Sequence, residues 1–408
     1  MTAWSERYPA YTGFAAVLSA AGLPIYIYGP KYYADSYGVS LTALGAILFG
    51  LRLFDVIQDP VLGWLSERLQ RGKPAIISAA CAVLAVSMLG LFGVAPPFNP
   101  AIWFGITITG LFSAFSFLTI NFYAQGVGKA GRDGQTRLAA WRETGALLGV
   151  CLAAVAPTVL IGMSQQPFVV FAWGFVAATA IATLLMWPEW TSTAHRDPTP
   201  IRVIIGDKLA RRLLILALVN ATPLAVSSTL FLFYVETGLG ASGWEGPLLV
   251  LFFLAAAISA PIWSALAGRF GEKRVLLFAM VLAVLSFGWV MLLGQGDVVA
   301  FALICVISGA TIGADLTLLP AMFARRMAVI SPNGGQGFGL WSLASKFTLA
   351  FAAVVLLPVL EGVGFVAGHS PADPQALWVL TLLYAAVPSA LKLVAIAILS
   401  VTDLEEAT

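Results

Sequence analysis

The feature that most constrains this chain is an apolar block of about 20 residues or more that recurs from one end to the other. A block of that length suits a helix crossing the hydrocarbon core of a bilayer. Composition agrees. Of 408 residues, 60 % are hydrophobic and only 10 % charged, and the mean hydropathy is +0.91. A soluble domain with so few polar side chains could not cover its own surface. The chain therefore reads as an all-α membrane protein. Its net charge of +2 gives no argument for a nucleic-acid partner.

Twelve helical blocks are expected, near residues 10–34, 41–66, 74–95, 99–126, 137–163, 167–188, 210–236, 243–268, 273–294, 298–326, 335–363 and 374–401. With the N-terminus in the cytoplasm, 17 of the 22 basic residues fall on inside segments, among them Arg68, Arg71, Lys73, Arg325 and Arg326, and the outside loops hold only Lys31. The positive-inside rule then places both termini in the cytoplasm. The opening stretch, MTAWSERYPAYTGFAAVL, lacks a basic n-region and a small-residue cleavage site, so no cleaved signal is expected. Cys81, Cys151 and Cys305 all lie in apolar blocks and read as small packing residues, not as disulfides, metal ligands or nucleophiles.

The stretch EWTSTAHRDPTPIRVIIGDK (189–208) has prolines, charges and no apolar periodicity. It reads as a cytoplasmic linker, 189–209, between six-helix bundles at 1–188 and 210–408. The halves echo each other. DPVLGWLSERLQRGK (59–73) aligns with APIWSALAGRFGEKR (260–274), pairing Pro60 with Pro261, Leu65 with Leu266, Arg68 with Arg269 and Lys73 with Arg274. Twelve spans in two related six-helix halves, each with a basic loop after its second helix, describe the major facilitator fold. Those loop charges orient the chain, and a gating role on the cytoplasmic side is expected of them in this fold.

Discounting helix ends, eight charged residues fall clearly within the spans: Arg52, Asp55, Asp59, Arg142, Glu143, Asp315, Lys346 and Lys392. A charge at bilayer depth costs a few kcal/mol on insertion scales, so each should face a cavity or a partner. Asp55, Gln58 and Asp59 share one side of the second helix. Two carboxylates one turn apart repel, and an intervening cation or a shared proton relieves this. Two carboxylates and an amide suit a hard ion such as Na⁺. Arg52, three residues before Asp55, offers a purely structural partner for Asp55 but leaves Asp59 unexplained. Lys346 either bridges two helices, with Asp315 as its partner, or faces the cavity. Arg142 either contacts substrate or pairs with Glu143. Lys392 reads as a snorkelling or packing residue. Ser19, Tyr26, Tyr28, Thr119, Asn121, Tyr123, Gln125, Trp141, Asn220 and Trp341 offer polar and stacking surface, or simply anchor the interface and bond helices together.

Several segments resemble the glycoside–pentoside–hexuronide cation symporters, the melibiose permease-like branch of the major facilitator superfamily. They are KYYADSYGVSLTALG (31–45), RLFDVIQDPVLGWLSER (52–68), TRLAAWRETGALLG (136–149) and GFGLWSLASKF (337–347). The resemblance implies a cation site of Asp55, Gln58, Asp59 and Ser116, with Gln58 standing where the family usually has Asn. It maps the family's helix 5 arginine to Arg142 and its helix 11 lysine to Lys346. The two sugar-binding carboxylates of the family fall on Ser19 and Thr119, both neutral, and the usual proline of the helix 4 motif is Asn121. Arg325 and Arg326 stand where acidic residues are expected. The ion-coupling part is retained and the substrate part has changed, so galactoside recognition is not expected.

The reading is cation-coupled symport, by Na⁺, Li⁺ or H⁺, of a small sugar- or glycoside-like solute. Its substrate cavity takes Ser19, Tyr26, Thr119, Asn121, Tyr123, Arg142, Trp341 and Lys346. No organic cofactor is expected, no metal beyond a Na⁺ at Asp55 and Asp59, and no catalytic residue. A same-fold carrier of a lysolipid or zwitterion is the alternative. An intramembrane enzyme has little support, because His195 and His369 fall in loops away from any metal or nucleophile constellation. Partners are the solute and the lipid bilayer. The expected form is a monomer in a bacterial cytoplasmic (inner) membrane.

Overall fold

The computed structural model describes residues 8–131, 134–190, 198–364 and 374–403; within helices, the side chains at 23, 24, 26, 27, 41, 350, 353 and 357 also lie outside the described residues. His195 and His369 fall outside them too. Fifteen α-helices follow in chain order among the described residues: α1 (Pro9–Ala20), α2 (Leu23–Tyr37), α3 (Leu41–Arg68), α4 (Lys73–Phe92), α5 (Pro100–Ala130), α6 (Gln135–Ile161), α7 (Pro167–Met186), α8 (Ile201–Gly206), α9 (Lys208–Phe233), α10 (Glu245–Phe270), α11 (Glu272–Gly288), α12 (Val298–Ile330), α13 (Gly335–Gly362), α14 (Pro374–Thr381) and α15 (Val387–Ser400). Ten helical stretches among them are long and apolar enough to cross a membrane. The first two expected spans correspond to the α1–α2 pair and to α3. The protein is a multi-pass membrane protein.

Local chemistry sets the helix ends. Ser40 accepts from the Ala43 amide to open α3, and Asn99 accepts from the Ala101 and Ile102 amides ahead of Pro100 to open α5. The first expected span breaks in two. Gly22 leaves the helical region (φ −87°, ψ −115°), and Pro24 has no N–H to continue the ladder. The last expected span keeps its continuity but widens into a π-helical turn at Leu382–Ala386, matched by one at Tyr234–Gly238 after α9. Tyr234 and Tyr384 from these two turns stack at 4.3 Å.

The chain forms two compact units: Met1–Ile204 with Met327–Leu343, and Ile205–Arg326 with Ala344–Thr408. In the first, α1 lies against α6 with backbones almost touching. A Cβ on Gly145 or Gly149 would sit 2.2 and 2.1 Å from the Thr12 and Ala16 carbonyl oxygens. This is the close approach that small residues four apart permit in membrane helices. Around it α4 packs on α5 and α7, and α3 on α5. In the second unit α15 packs on α9 and α11. There Gly309 and Gly313 of α12 meet the Phe252 and Ala256 carbonyls of α10 in the same way, at 2.3 and 2.8 Å for an added Cβ.

The segment 327–343 groups with the first unit although the chain order 210–408 assigns it to the second bundle. Glycines explain this. A Cβ on Gly63 of α3 would lie 2.7 Å from the Gly335 carbonyl, and one on Gly339 would lie 2.9 Å from that of Asp59. The expected linker, 189–209, contains the short helix α8.

Candidate functional site

Asp55 and Asp59 of α3 are both buried, at 2 % and 0 % exposed. Arg52 approaches Asp55 at 3.6 Å, Nη1 to Oδ2. This is the structural pairing open to Asp55, made at a distance longer than a good hydrogen bond. Asp59 is held differently, its Oδ2 accepting from the Ser342 hydroxyl of α13 at 2.7 Å. Between them the Gln58 side-chain oxygen is buried and has no hydrogen-bond partner among the described residues. Ser116 is buried on α5, the helix that packs against α3. One face of α3 therefore carries two buried carboxylates and an amide oxygen within one helical turn.

Two turns further along, Glu67 is fully buried at the start of α13. Its Oε1 accepts from the Gln336 amide at 2.8 Å and its Oε2 from the Thr199 amide at 2.7 Å, with Ser331 Oγ at 3.4 Å. An anion at a helix N-terminus meets unpaired N–H groups and the positive end of the dipole. Lys73, expected as a topogenic loop charge, is buried at the start of α4 and donates to the Gln125 side-chain oxygen at 2.9 Å.

Arg142 takes the pairing that was open to it. Its Nε donates to Glu143 Oε1 at 2.9 Å, and its guanidinium lies 3.5 Å from the centre of the Tyr123 ring. The Tyr123 hydroxyl donates to the same Glu143 oxygen at 2.8 Å. Asn121 is spent on helix packing, accepting from Ser66 and donating to the Phe117 carbonyl, each at 2.8 Å. Ser19, on the last turn of α1, is half-buried, as are Thr119, Trp341 and Lys346. The Thr119 hydroxyl is buried without a hydrogen-bond partner among the described residues. The Tyr26 side chain lies outside the described residues.

In the second unit two expectations are corrected. Asp315 takes Lys392 of α15 as its ion-pair partner, where Lys346 was the candidate. Lys392 does not snorkel. It is 6 % exposed and also donates to Asn220 Oδ1 at 2.7 Å. A lysine eight residues from the end of its helix can reach the interface by length alone, and only the fold shows that a carboxylate waits inward. The arginine pair after α12's core finds acidic partners from elsewhere. Arg325 makes a two-point contact with Glu272, at 2.7 and 3.0 Å, and Arg326 Nε donates to Asp207 Oδ1 at 3.0 Å. Asp207 also caps α9 through the Ala210 amide, and the Arg326 hydrogen bond holds its carboxyl below the usual carboxylate range. Ser342 and Glu67 were not singled out from the sequence. The signal for Ser342 was its place one turn before Lys346 in GLWSLASKF.

Comparison with known proteins supplies the frame for this geometry. The family model described as MFS/sugar transport protein matches residues 10–406. The cyanate transport protein CynX of Escherichia coli is 27 % identical over 213 residues, 48 % of this chain and 52 % of that protein, so the match spans about half the relative's length. A bacterial homologue of the iron transporter ferroportin, solved in an outward-facing state, superposes with a TM-score of 0.72 at 13 % identity, covering 97 % of this chain and 99 % of that one. The human organic anion transporter MFSD10 gives 0.65 at 18 % identity, with 96 % and 98 % covered. At such identities the structures speak for the fold alone. The chain belongs to the MFS/sugar transport protein family, and it is a multi-pass membrane transporter of the major facilitator superfamily.

Proposed function

We propose that the protein is a secondary active transporter that couples a cation, Na⁺, Li⁺ or H⁺, to the movement of a small sugar- or glycoside-like solute by alternating access. The observation that carries this is the pair Asp55 and Asp59, both buried on one face of α3, with the intervening Gln58 oxygen buried and without a hydrogen-bond partner among the described residues. Arg52 approaches Asp55 at 3.6 Å, and two carboxylates one helical turn apart repel each other. A bound cation or proton would offset that charge at bilayer depth, where an uncompensated one is expensive. Coupling follows by linkage: an ion that favours the solute-binding state is itself bound more tightly once solute is present, by the same factor.

In this reading Asp55, Gln58, Asp59 and Ser116 hold the ion, and Lys346 with Trp341 and Thr119 belong to the solute cavity. The protein works as a monomer in a bacterial cytoplasmic membrane with both termini inside. Uptake by proteoliposomes under an imposed Na⁺ or proton gradient tests it. Asp59→Asn should abolish gradient-stimulated uptake and leave solute exchange measurable; a gradient response of wild-type size in that variant contradicts the ion assignment.

A second reading, transport of a small anion, draws on the partial match to a cyanate transport protein. Competition of cyanate with labelled solute separates the two.

A further inference from the structure

We propose that the second unit holds a recognition site for an uncharged, hydroxyl-rich solute, centred on Asp315 with Lys392 as its fixed counter-charge. A cavity of about 520 Å³, its open mouth included, lies within this unit and is lined by α9, α10, α11, α12 and α15. Asp315 is 6 % exposed, and one of its oxygens is bridged to Lys392. The other, Oδ1, is buried with no hydrogen-bond partner among the described residues. An orphan carboxylate oxygen in such surroundings costs about 1–3 kcal/mol until it receives a donor.

The rest of the polar lining asks for the same thing. Ser227, Ser308, Thr311 and Ser389 each donate their proton to a backbone carbonyl of their own helix, at 2.6–3.0 Å. What these hydroxyls have left to offer a ligand is lone pairs. Apart from the Asn220 amide, whose oxygen is taken by Lys392 and whose N–H groups remain donors, the polar lining is a set of acceptors around a charge-balanced pair. A ligand that fits must bring several donors and no net charge, because an added ion would leave the pair's balance broken inside the bilayer. A polyol meets both conditions, and Phe252 and Phe287 give apolar ring faces for its C–H surface.

This inference rests on the sugar-like solute of the proposed function, and its test separates the two. Purified protein in lipid nanodiscs is titrated with methyl β-D-glucopyranoside, methyl β-D-galactopyranoside, methyl β-D-xylopyranoside and myo-inositol, and the tightest probe is carried forward. Ser308→Phe fills the cavity and leaves the ion pair intact. Asp315→Asn combined with Lys392→Met removes the pair without stranding a buried charge. Both should bind the probe at least about 10-fold more weakly while keeping the wild-type response to cations, which reports an intact fold and first unit. Unchanged affinity in both variants overturns the Asp315 site and leaves the symport reading standing. If the wild-type protein binds none of the four probes, the polyol reading falls and this site with it. Cyanate binding that is lost with Lys392, without polyol binding, also contradicts the proposal and assigns the cavity to an anion.

Discussion

At the residue scale, Asp59 and Glu67 are both buried carboxylates on α3, and their partners give them different work. Glu67 is saturated by fixed donors, two of them backbone amides. It is a latch, holding the start of α13 and the chain near Thr199. Hydrogen bonds to a charged group are worth about 1.5–3 kcal/mol each. Glu67→Ala should therefore speed amide exchange at Thr199 and Gln336 by roughly 10- to 100-fold, read by hydrogen-exchange mass spectrometry; unchanged protection there would show that the contact contributes nothing. Asp59 accepts from the exchangeable Ser342 hydroxyl, which suits the ion-holding role proposed for it. Asp207 yields a pH prediction. Its folded pKa is depressed by the hydrogen bond from Arg326, so its contribution is fully present above the unfolded value, about 4, and is lost as pH falls through the folded one. Asp207→Asn keeps an acceptor for the α9 cap and loses the charge. The variant should be less stable than the parent at neutral pH, with the gap closing toward pH 3 in thermal melts across that range; a gap that stays constant would rule the pair out as its source.

At the element scale, the glycines decide which helices can meet. Gly145 and Gly149 put α1 and α6 in backbone contact, and Gly63, Gly335 and Gly339 do the same for α3 and the first turns of α13. Gly149→Val would force side-chain atoms into the Ala16 carbonyl, and overpacking of this kind costs about 1–3 kcal/mol. A lowered thermal midpoint with transport otherwise retained is expected; a midpoint equal to the parent's would mean the helices can part freely. The helices themselves were legible in the chain, because a span announces itself by length and hydropathy. The break at Gly22 was foreshadowed by Pro24 but not read. The π-helical turns were not legible, since an inserted residue in a uniformly apolar stretch leaves no trace in its pattern. Partners across helices were the least legible of all. Asp315 and Lys392 are 77 positions apart, and nothing in either segment names the other.

At the scale of the whole molecule, the family match frames a transporter, and the buried carboxylates carry the proposal of how it is driven. The carboxylate pair on α3 was visible as i, i+4 spacing in LRLFDVIQDPVLGWL, because charge inside an apolar run stands out on its own. The residues proposed to meet the solute were not legible, since hydroxyls and aromatics are common throughout membrane helices. Fluorescent-protein fusions at either end should both be bright, as expected for cytoplasmic termini; a dark fusion at one end would break the twelve-span topology. The most direct test of the central claim is the thermal stability of purified protein in Na⁺, Li⁺ and K⁺ across pH, with Asp59→Asn alongside. An ion at 100 times its Kd adds about 2.7 kcal/mol to the folded state. The account predicts a rise specific to Na⁺ or Li⁺, or a pH-dependent rise where the ion is H⁺, absent from Asp59→Asn. Identical melting in all three salts and at every pH, in both proteins, would make the carboxylates structural and contradict ion coupling.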